Sequence, residues 1–386
     1  MTAQSSQHAS AGAPVGHDGT PVIRIDSFAA ARAVLRSGDV RQAGFNAELV
    51  HRFIGPRHAP VLYQDGEPHQ RQRSATARFF TPRVVATRYC RLMETTSREL
   101  VAQFVTARRA RLDDLSLTLA VAVAADIIGL TDSSRAAMAA RLNRFFAAPV
   151  GQGAIATLRN AVFGQLRSLA FYWFDVRPAI RARRARPRED VISHLLAEGY
   201  SDREILTECL TYGAAGMATT REFIVMAGVR LFEDDALRAR FLAGNEPQRM
   251  AILEEVLRLE PVVSTLKRRT ACEMTLESDA GATTIPARSL LEIDVGAANR
   301  DEAAAGACPH RLDPDRTRPA KGSASLMSFG DGPHRCPGAA VALHEAAIFL
   351  DQLLRVPGLR LERQPTKTVN PVSSGYELRD AVIVVG

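Results

Sequence analysis

Lysine is almost missing from this chain of 386 residues. Only Lys267, Lys321 and Lys367 occur among its 49 basic residues, so arginine carries nearly all of the positive charge. Against 42 acidic residues this gives a formal charge of +7, which raises the question of a nucleic-acid partner. The densest run, Arg177 to Arg188, places only Pro, Ala and Ile between its arginines. It lacks the aromatic residues that stack on bases, and no nucleic-acid-binding motif is present. No nucleic acid is therefore expected, and the arginine bias reads as the mark of a GC-rich coding sequence. Cysteine is scarce and scattered: Cys90, Cys209, Cys272, Cys308 and Cys336 are odd in number and show no Cys-x-x-Cys spacing. That argues against a disulfide framework and a structural zinc site. No apolar run approaches 18 residues, since the best stretch, Leu119 to Ala125, ends at Asp126, so no bilayer span or membrane partner is expected. No Lys or Arg precedes Arg24 and no apolar core follows the start, so a secretory signal is not expected and the reading is cytoplasmic.

What remains is the composition of a globular protein, 46% hydrophobic and 24% charged. Residues 1–20 are rich in Ser, Ala and Gly and are expected to be disordered; 21–386 contain no linker or repeat and are expected to form a single domain. Apolar residues recur every three or four positions in Leu115–Ile128, Asn160–Trp173 and Ile205–Phe232, which predicts helices there. Ser201 and Glu204 form a capping box that opens the last of these. Further helices are expected from Pro247 to Leu259, stopped by Pro261, and from Ala339 to Leu354. Short strands are expected at Met274–Leu276, Leu290–Val295 and in a C-terminal pair ending at Ala381–Val385, with 301–328 irregular. The fold class is mainly α with a minor antiparallel β part.

The segment Phe329-Gly-Asp-Gly-Pro-His-Arg-Cys-Pro-Gly338 is the sharpest in the chain. It surrounds Cys336 with glycine and proline just before an apolar helix. Gly332 and Gly338 allow unusual backbone angles or the close approach of a flat partner. The free N–H groups and positive end of the helix favour a thiolate, which is a good axial ligand for haem iron. The alternative is a buried, unreactive cysteine beside a turn, the reading taken for the other four.

These residues resemble the cytochrome P-450 family, the haem-thiolate monooxygenases. Phe329, Gly332, His334, Cys336 and Gly338 fill every place of its Phe-x-x-Gly-x-His/Arg-x-Cys-x-Gly signature. The resemblance extends over roughly residues 60–385. It implies haem b, held between the long central helix and the helix after the cysteine loop. Cys336 would be the iron ligand, Phe329 would pack beside its sulfur and His334 would lie near a haem propionate. Glu255-Val-Leu-Arg258 resembles the family's Glu-x-x-Arg helix, in which i, i+3 spacing lets the two side chains pair. Pro309-His-Arg311-Leu-Asp313 resembles the Pro-x-Arg-Phe-Asp stretch that brings a second arginine to the pair, with Leu312 in the usual Phe place. Asp65 to Arg73 resembles the segment whose His and Arg, here His69 and Arg73, bind propionates. A third donor would come from Lys267-Arg268-Arg269, with Arg268 preferred.

Mid-way along the long helix, Ala215-Gly216-Met217-Ala218-Thr219-Thr220 resembles the segment crossing the distal haem face. Gly216 and its small neighbours would leave room for dioxygen, and Thr219 matches the threonine that supports its activation. The acid that usually precedes this threonine is replaced by Ala218. Proton delivery would then fall to water, Glu222, Arg221 or the substrate. Glu222 lies one turn beyond Ala218 and could equally be a surface carboxylate paired with Arg221. Three outcomes stay open: hydroxylation with a substitute relay, substrate-assisted oxidation, or coupling and ring closure without oxygen insertion. A non-catalytic haem sensor or carrier is a further reading, against which Thr219 and the open segment count.

No flavin or nicotinamide domain is evident, so the resemblance implies a ferredoxin and an NAD(P)H-dependent ferredoxin reductase as partners. Arg71, Arg78 and Arg335 are candidates for the docking face. The substrate would be a small lipophilic or aromatic natural product, free or carrier-bound, near Phe145, Phe146, Val263, Leu266 and Tyr376. A monomer is expected.

Overall fold

A computed structural model describes residues 20–45, 47, 59–146, 154–278, 281–317, 324–370 and 374–386. Residues 1–19 of the expected disordered segment lie outside the described residues. The first elements are β1 (Val22–Ile25), α1 (Phe28–Arg36), β2 (Val40–Gln42) and α2 (Gly66–Ala77). Then come α3 (Cys90–Ala107), β3 (Arg109–Arg111), α4 (Leu112–Ile128), α5 (Arg135–Phe146) and α6 (Ala154–Phe171). A wide turn at Tyr172–Val176 leads to α7 (Arg177–Ala185).

The long predicted helix is present in two parts, α8 (Asp202–Tyr212) and α9 (Thr219–Glu233), joined by a π-type turn over Gly213–Ala218. The Ser201–Glu204 capping box forms at its start as expected. A second box, Asn245 with Gln248, opens α10 (Glu246–Leu259). Then follow β4 (Thr265–Thr270), β5 (Met274–Ser278), β6 (Gly281–Ile285), β7 (Leu290–Asp294) and α11 (Ala339–Leu354). The chain closes with β8 (Leu359–Arg363), β9 (Thr366–Asn370), β10 (Gly375–Arg379) and β11 (Val382–Val385).

The helix α4 is apolar on nearly every side, and it is correspondingly buried all round. It lies against α9, which packs in turn on α11, while α11 packs on α3 and α10. Side chains of these helices form the larger hydrophobic core. The strands are minor and mostly antiparallel, as expected. The main sheet has the order β1-β7-β4-β2, and β1 pairs with β7 in parallel, the one such pair among the described strands. The C-terminal strand β11 pairs with β3 and β8, and β10 pairs with β9. Within the region expected to be irregular, Glu302–Ala305 forms one helical turn capped by Asp301.

Candidate active site

Burying a carboxylate requires charge and hydrogen bonds to replace water. Glu255 and Arg258, one turn apart on α10, are fully buried and joined by two bonds of 2.8 Å. The second arginine is Arg316, whose Nε donates to Glu255 Oε1 at 3.0 Å. Arg311, the residue expected in that role, is exposed and contributes its carbonyl, which accepts from Arg258 and Arg316. The chain holds two Pro-x-Arg triplets five residues apart, Pro309-His-Arg311 and Pro314-Asp-Arg316, and the fold turns the second one inward. Burial alone would raise the Glu255 pKa, but Arg258, Arg316 and the Asp313 N–H hold it below the usual value.

This network reaches the cysteine loop through Asn299. Its amide donates to the Arg258 carbonyl at 3.0 Å, and its oxygen accepts from the Met327 N–H at 2.8 Å. From there the Cys336 N–H donates to the Phe329 carbonyl at 2.8 Å, closing the loop. Asp331 anchors the loop to α1 through Arg36 and Arg32. Gly332 has φ +66°, and a Cβ there would overlap the Leu35 carbonyl oxygen, so glycine is required. Gly338 has an ordinary φ, and its Cβ position lies 4.0 Å from Cys336 Sγ. Burial pushes the Cys336 thiol up, countered by the Gly338 N–H and by the charges of Arg73 and Arg335. Half-buried Phe329 packs on the larger core.

Four cationic or potentially cationic side chains gather beside this loop. His69 and Arg73 stand one turn apart on α2, and Arg73 donates to the Arg335 carbonyl. The His69 and His334 rings stack with centroids 4.1 Å apart, and His334 reaches Asp65 at 3.3 Å. Arg268 is 4% exposed and donates to Gln42 Oε1 and the Lys267 carbonyl, both neutral oxygens. Strand alternation sends Arg269 elsewhere, to the Arg288 carbonyl. Burial, with the charges of His334 and Arg73, lowers His69 to about 4. Burial also pushes Arg268 down to about 10. Asp65 is the carboxylate whose charge reaches Arg268 and both histidines.

The π-type turn presents small side chains. Ala214 and Ala215 are exposed, Gly216, Ala218 and Thr219 are half-buried, and the following residues from Thr220 to Val229 are buried. Among the described residues nothing lies within 4 Å of a Cβ placed on Gly216, so none of them forbids a side chain there. The Thr219 hydroxyl donates to the Ala215 carbonyl at 2.5 Å.

Glu222 is neither a free relay nor a surface carboxylate. It is 3% exposed, and its Oε2 accepts from the Leu378 N–H of β10 at 2.7 Å. Its Oε1 accepts from Arg221 and from Arg379. Arg221 is equally committed, donating to Asn143 of α5 at 2.8 Å. Tyr376 also departs from the expected substrate wall: it is buried in the larger core, and its hydroxyl donates to the Glu260 carbonyl. Leu266 packs beside Gly330 of the cysteine loop. The side chain of Phe146 lies outside the described residues. Arg71, Arg78 and Arg335 are exposed, and Arg71 faces Glu67 at 3.7 Å.

The residues fit haem b. Cys336 offers sulfur backed by an N–H, while a buried guanidinium held by neutral oxygens suits an anionic rim such as two propionates. At Gly216 the small-residue turn leaves space that no side chain among the described residues fills.

Residues 249–375 match the family described as Cytochrome P450. The chain is 29% identical over 307 residues to Cytochrome P450 130 of Mycobacterium tuberculosis, covering 76% of this chain and 70% of the relative. It is also 29% identical over 329 residues to the cyclomarin C epoxidase of Salinispora arenicola, covering 81% and 78%. Among solved structures, P450BioI in complex with an acyl carrier protein carrying hexadec-9Z-enoic acid superimposes with a TM-score of 0.76. That match has 21% identity and covers 95% of this chain and 93% of the other.

Proposed function

We propose that the chain is a haem-dependent oxidoreductase of the cytochrome P450 family, whose model it matches over residues 249–375, and that it inserts oxygen into a small lipophilic natural product, using electrons from a ferredoxin and its NAD(P)H-dependent reductase. Haem b, when bound through a cysteine thiolate, supplies the reductive activation of dioxygen. The observation that carries the reading is the way α2 joins the two halves of the site. Its Arg73 donates to the Arg335 carbonyl of the cysteine loop, and the neighbouring Gln72 donates to Glu208 of α8, the helix that leads into the small-residue turn.

In this assignment Cys336 holds the iron, with Phe329 and Gly338 shaping the space about its sulfur. His69, Arg73, Arg268 and His334 receive the propionates. Gly216 and Ala218 keep the turn clear of side chains. Thr219 Oγ1, whose proton points to the Ala215 carbonyl, presents its lone pairs to a water and so orders the donor of a proton. Glu255, Arg258 and Arg316 position the loop from below.

The cyclomarin C epoxidase is named for a natural-product oxidation, which supports that substrate class. The carrier complex among the similar structures supports a carrier-bound substrate as well as a free one. A coupling or ring-closing reaction without oxygen insertion is the second reading. It is favoured by Ala218 and by the engagement of Glu222 and Arg221 elsewhere.

The test is an optical titration of the ferric protein with aromatic, peptide-derived, terpenoid and polyketide compounds, followed by turnover under labelled O₂. A Soret shift by one class with label in its product supports oxygen insertion. Product without label supports coupling, and reductant consumption that no compound stimulates would leave a haem sensor or carrier. Cys336→Ser is expected to abolish the thiolate-type CO spectrum of the reduced protein; its retention would refute the ligand assignment.

A further inference from the structure

On α6, burial runs opposite to side-chain chemistry. The inward face carries Asn160, Gly164 and Ser168 before it reaches buried Phe171. The outward face carries Val162, Phe163, Leu166 and Leu169, and the turn that follows continues it with Trp173 and Phe174. These six residues are 48–62% exposed, and they make up six of the eight large apolar side chains exposed among the described residues. Exposed apolar area is therefore concentrated here rather than scattered. Half of each such side chain comes to roughly 600 Å² in total, at the upper limit for the largest patch on a typical monomer. It also exceeds the apolar share, roughly 450 Å², of one side of a standard protein interface of about 800 Å² per partner.

Charge around the stripe is as lopsided. Residues 135–186 contain ten arginines and a single carboxylate, Asp175. Of the ten, Arg141 pairs with Asp175, Arg183 with Asp132 and Asp190, and Arg184 with Asp202. Six of the other seven pair with no carboxylate among the described residues, which leaves this side of the molecule positive. Asp175 is itself buried and held by Arg141 at 2.6 Å and Ser133 at 2.7 Å. A second copy of the chain would set arginine against arginine, so self-association is disfavoured. An acidic partner is complementary in both respects. Val162, Leu166, Leu169 and Trp173 recur at i, i+4, i+7 and i+11, the spacing by which a helix seats in an apolar groove of another protein. Gln165 and Arg167 border this seam on the same helix, which suits a groove with polar rims better than immersion in acyl chains.

Position supplies the purpose. The helix α6 packs on α5, and α5 packs on the Gly213–Ala218 turn, so the stripe stands two helix layers, about 20 Å, from Thr219. We propose that α6 docks an acidic carrier protein, which delivers a substrate attached to its flexible arm into the site beside α5. The delivery half rests on the proposed monooxygenase function, whereas the docking half does not.

The experiment uses haem-loaded full-length protein with two probes, an acyl carrier protein and a peptidyl carrier protein, each bearing a dodecanoyl chain on its phosphopantetheine arm. Binding and the Soret response are measured for the parent, for Leu166→Gln/Leu169→Gln and for Arg167→Glu. At least one carrier is expected to bind, to bind about tenfold or more weakly to both variants, and to weaken between about 0.05 and about 0.5 M salt. The Soret response to the tethered chain should fall in parallel, while the response to free dodecanoate and the haem spectrum stay as in the parent. Absence of binding by both carriers, or equal binding by the variants, overturns the proposal. So does a dimer, or attachment to phosphatidylglycerol vesicles, that the same substitutions abolish while carrier binding persists. Loss of any haem-thiolate spectrum in the parent would instead count against the proposed function.

Discussion

Replacing Arg316 and Arg311 separately by methionine tests which arginine completes the buried network on α10. The Arg316 side chain is 3% exposed and bonds Glu255 and four carbonyls, those of Ala305, Ala307, Cys308 and Arg311. Arg316→Met leaves those carbonyls without this donor and removes one of the two guanidinium groups that neutralise Glu255. Breaking a buried pair of this kind costs about 3–5 kcal/mol, a large part of the stability of an ordinary domain. Arg311 is exposed and acts through its carbonyl, which methionine retains, so Arg311→Met should stay within about 0.5 kcal/mol of the parent. Urea unfolding followed by far-UV circular dichroism reads both numbers, and the yield of haem-loaded protein gives a second measure. Arg316→Lys keeps the charge but loses the forked geometry, and should fall between the two. If Arg311→Met proved the more damaging substitution, the assignment of Arg316 would be wrong.

Burial lifts Glu345 to about 8, and its Oε1 has no hydrogen-bond partner among the described residues. The folded state thus keeps a proton that the unfolded state releases near pH 4.5, and this contribution to stability is lost as pH rises from about 4.5 to about 8. Glu345→Gln should therefore be near neutral at pH 5 and stabilising by roughly 4 kcal/mol at pH 8, as read by paired urea titrations; a constant difference across pH would refute it. Gly332→Ala must move the Leu35 carbonyl while holding φ +66°, and should reduce haem-loaded protein with a loss of about 2 kcal/mol or more. Thr219→Ala should raise peroxide release per reductant consumed; unchanged coupling would remove Thr219 from oxygen activation. Glu222→Gln should destabilise the protein without altering coupling, because that carboxylate holds β10 to α9.

The parts of this molecule legible in the sequence are those decided over short stretches of chain. Ser201 and Glu204 cap α8, Pro261 stops α10, and the glycines of the cysteine loop stand where the backbone needs them. The choice between Arg311 and Arg316 was hidden because both triplets offer proline and arginine, and only the course of the chain past Asp313 decides which guanidinium meets Glu255. The β1–β7 pair joins Val22 to Leu290, and nothing local to either segment announces it. For Glu222 the helical spacing from Ala218 was right, but β10 takes that carboxylate with a backbone N–H and Arg379. On α6, periodicity showed which residues share a face and not that the apolar face points outward.

Those committed side chains narrow the chemistry of the small-residue turn. From Ala214 to Thr219 the sequence runs Ala-Ala-Gly-Met-Ala-Thr, so Thr219 carries the one hydroxyl of that stretch. Its proton is given to the Ala215 carbonyl, and the next two charged residues along the chain, Arg221 and Glu222, are bound to α5 and β10. In the proposed function, a proton needed on this face would come through water or from the substrate itself, and the water that fits beside a bound substrate would depend on that substrate's shape. On that reading, efficiency of oxygen use would be a property of the enzyme and substrate together, which a fixed carboxylate at position 218 would have made a property of the enzyme alone.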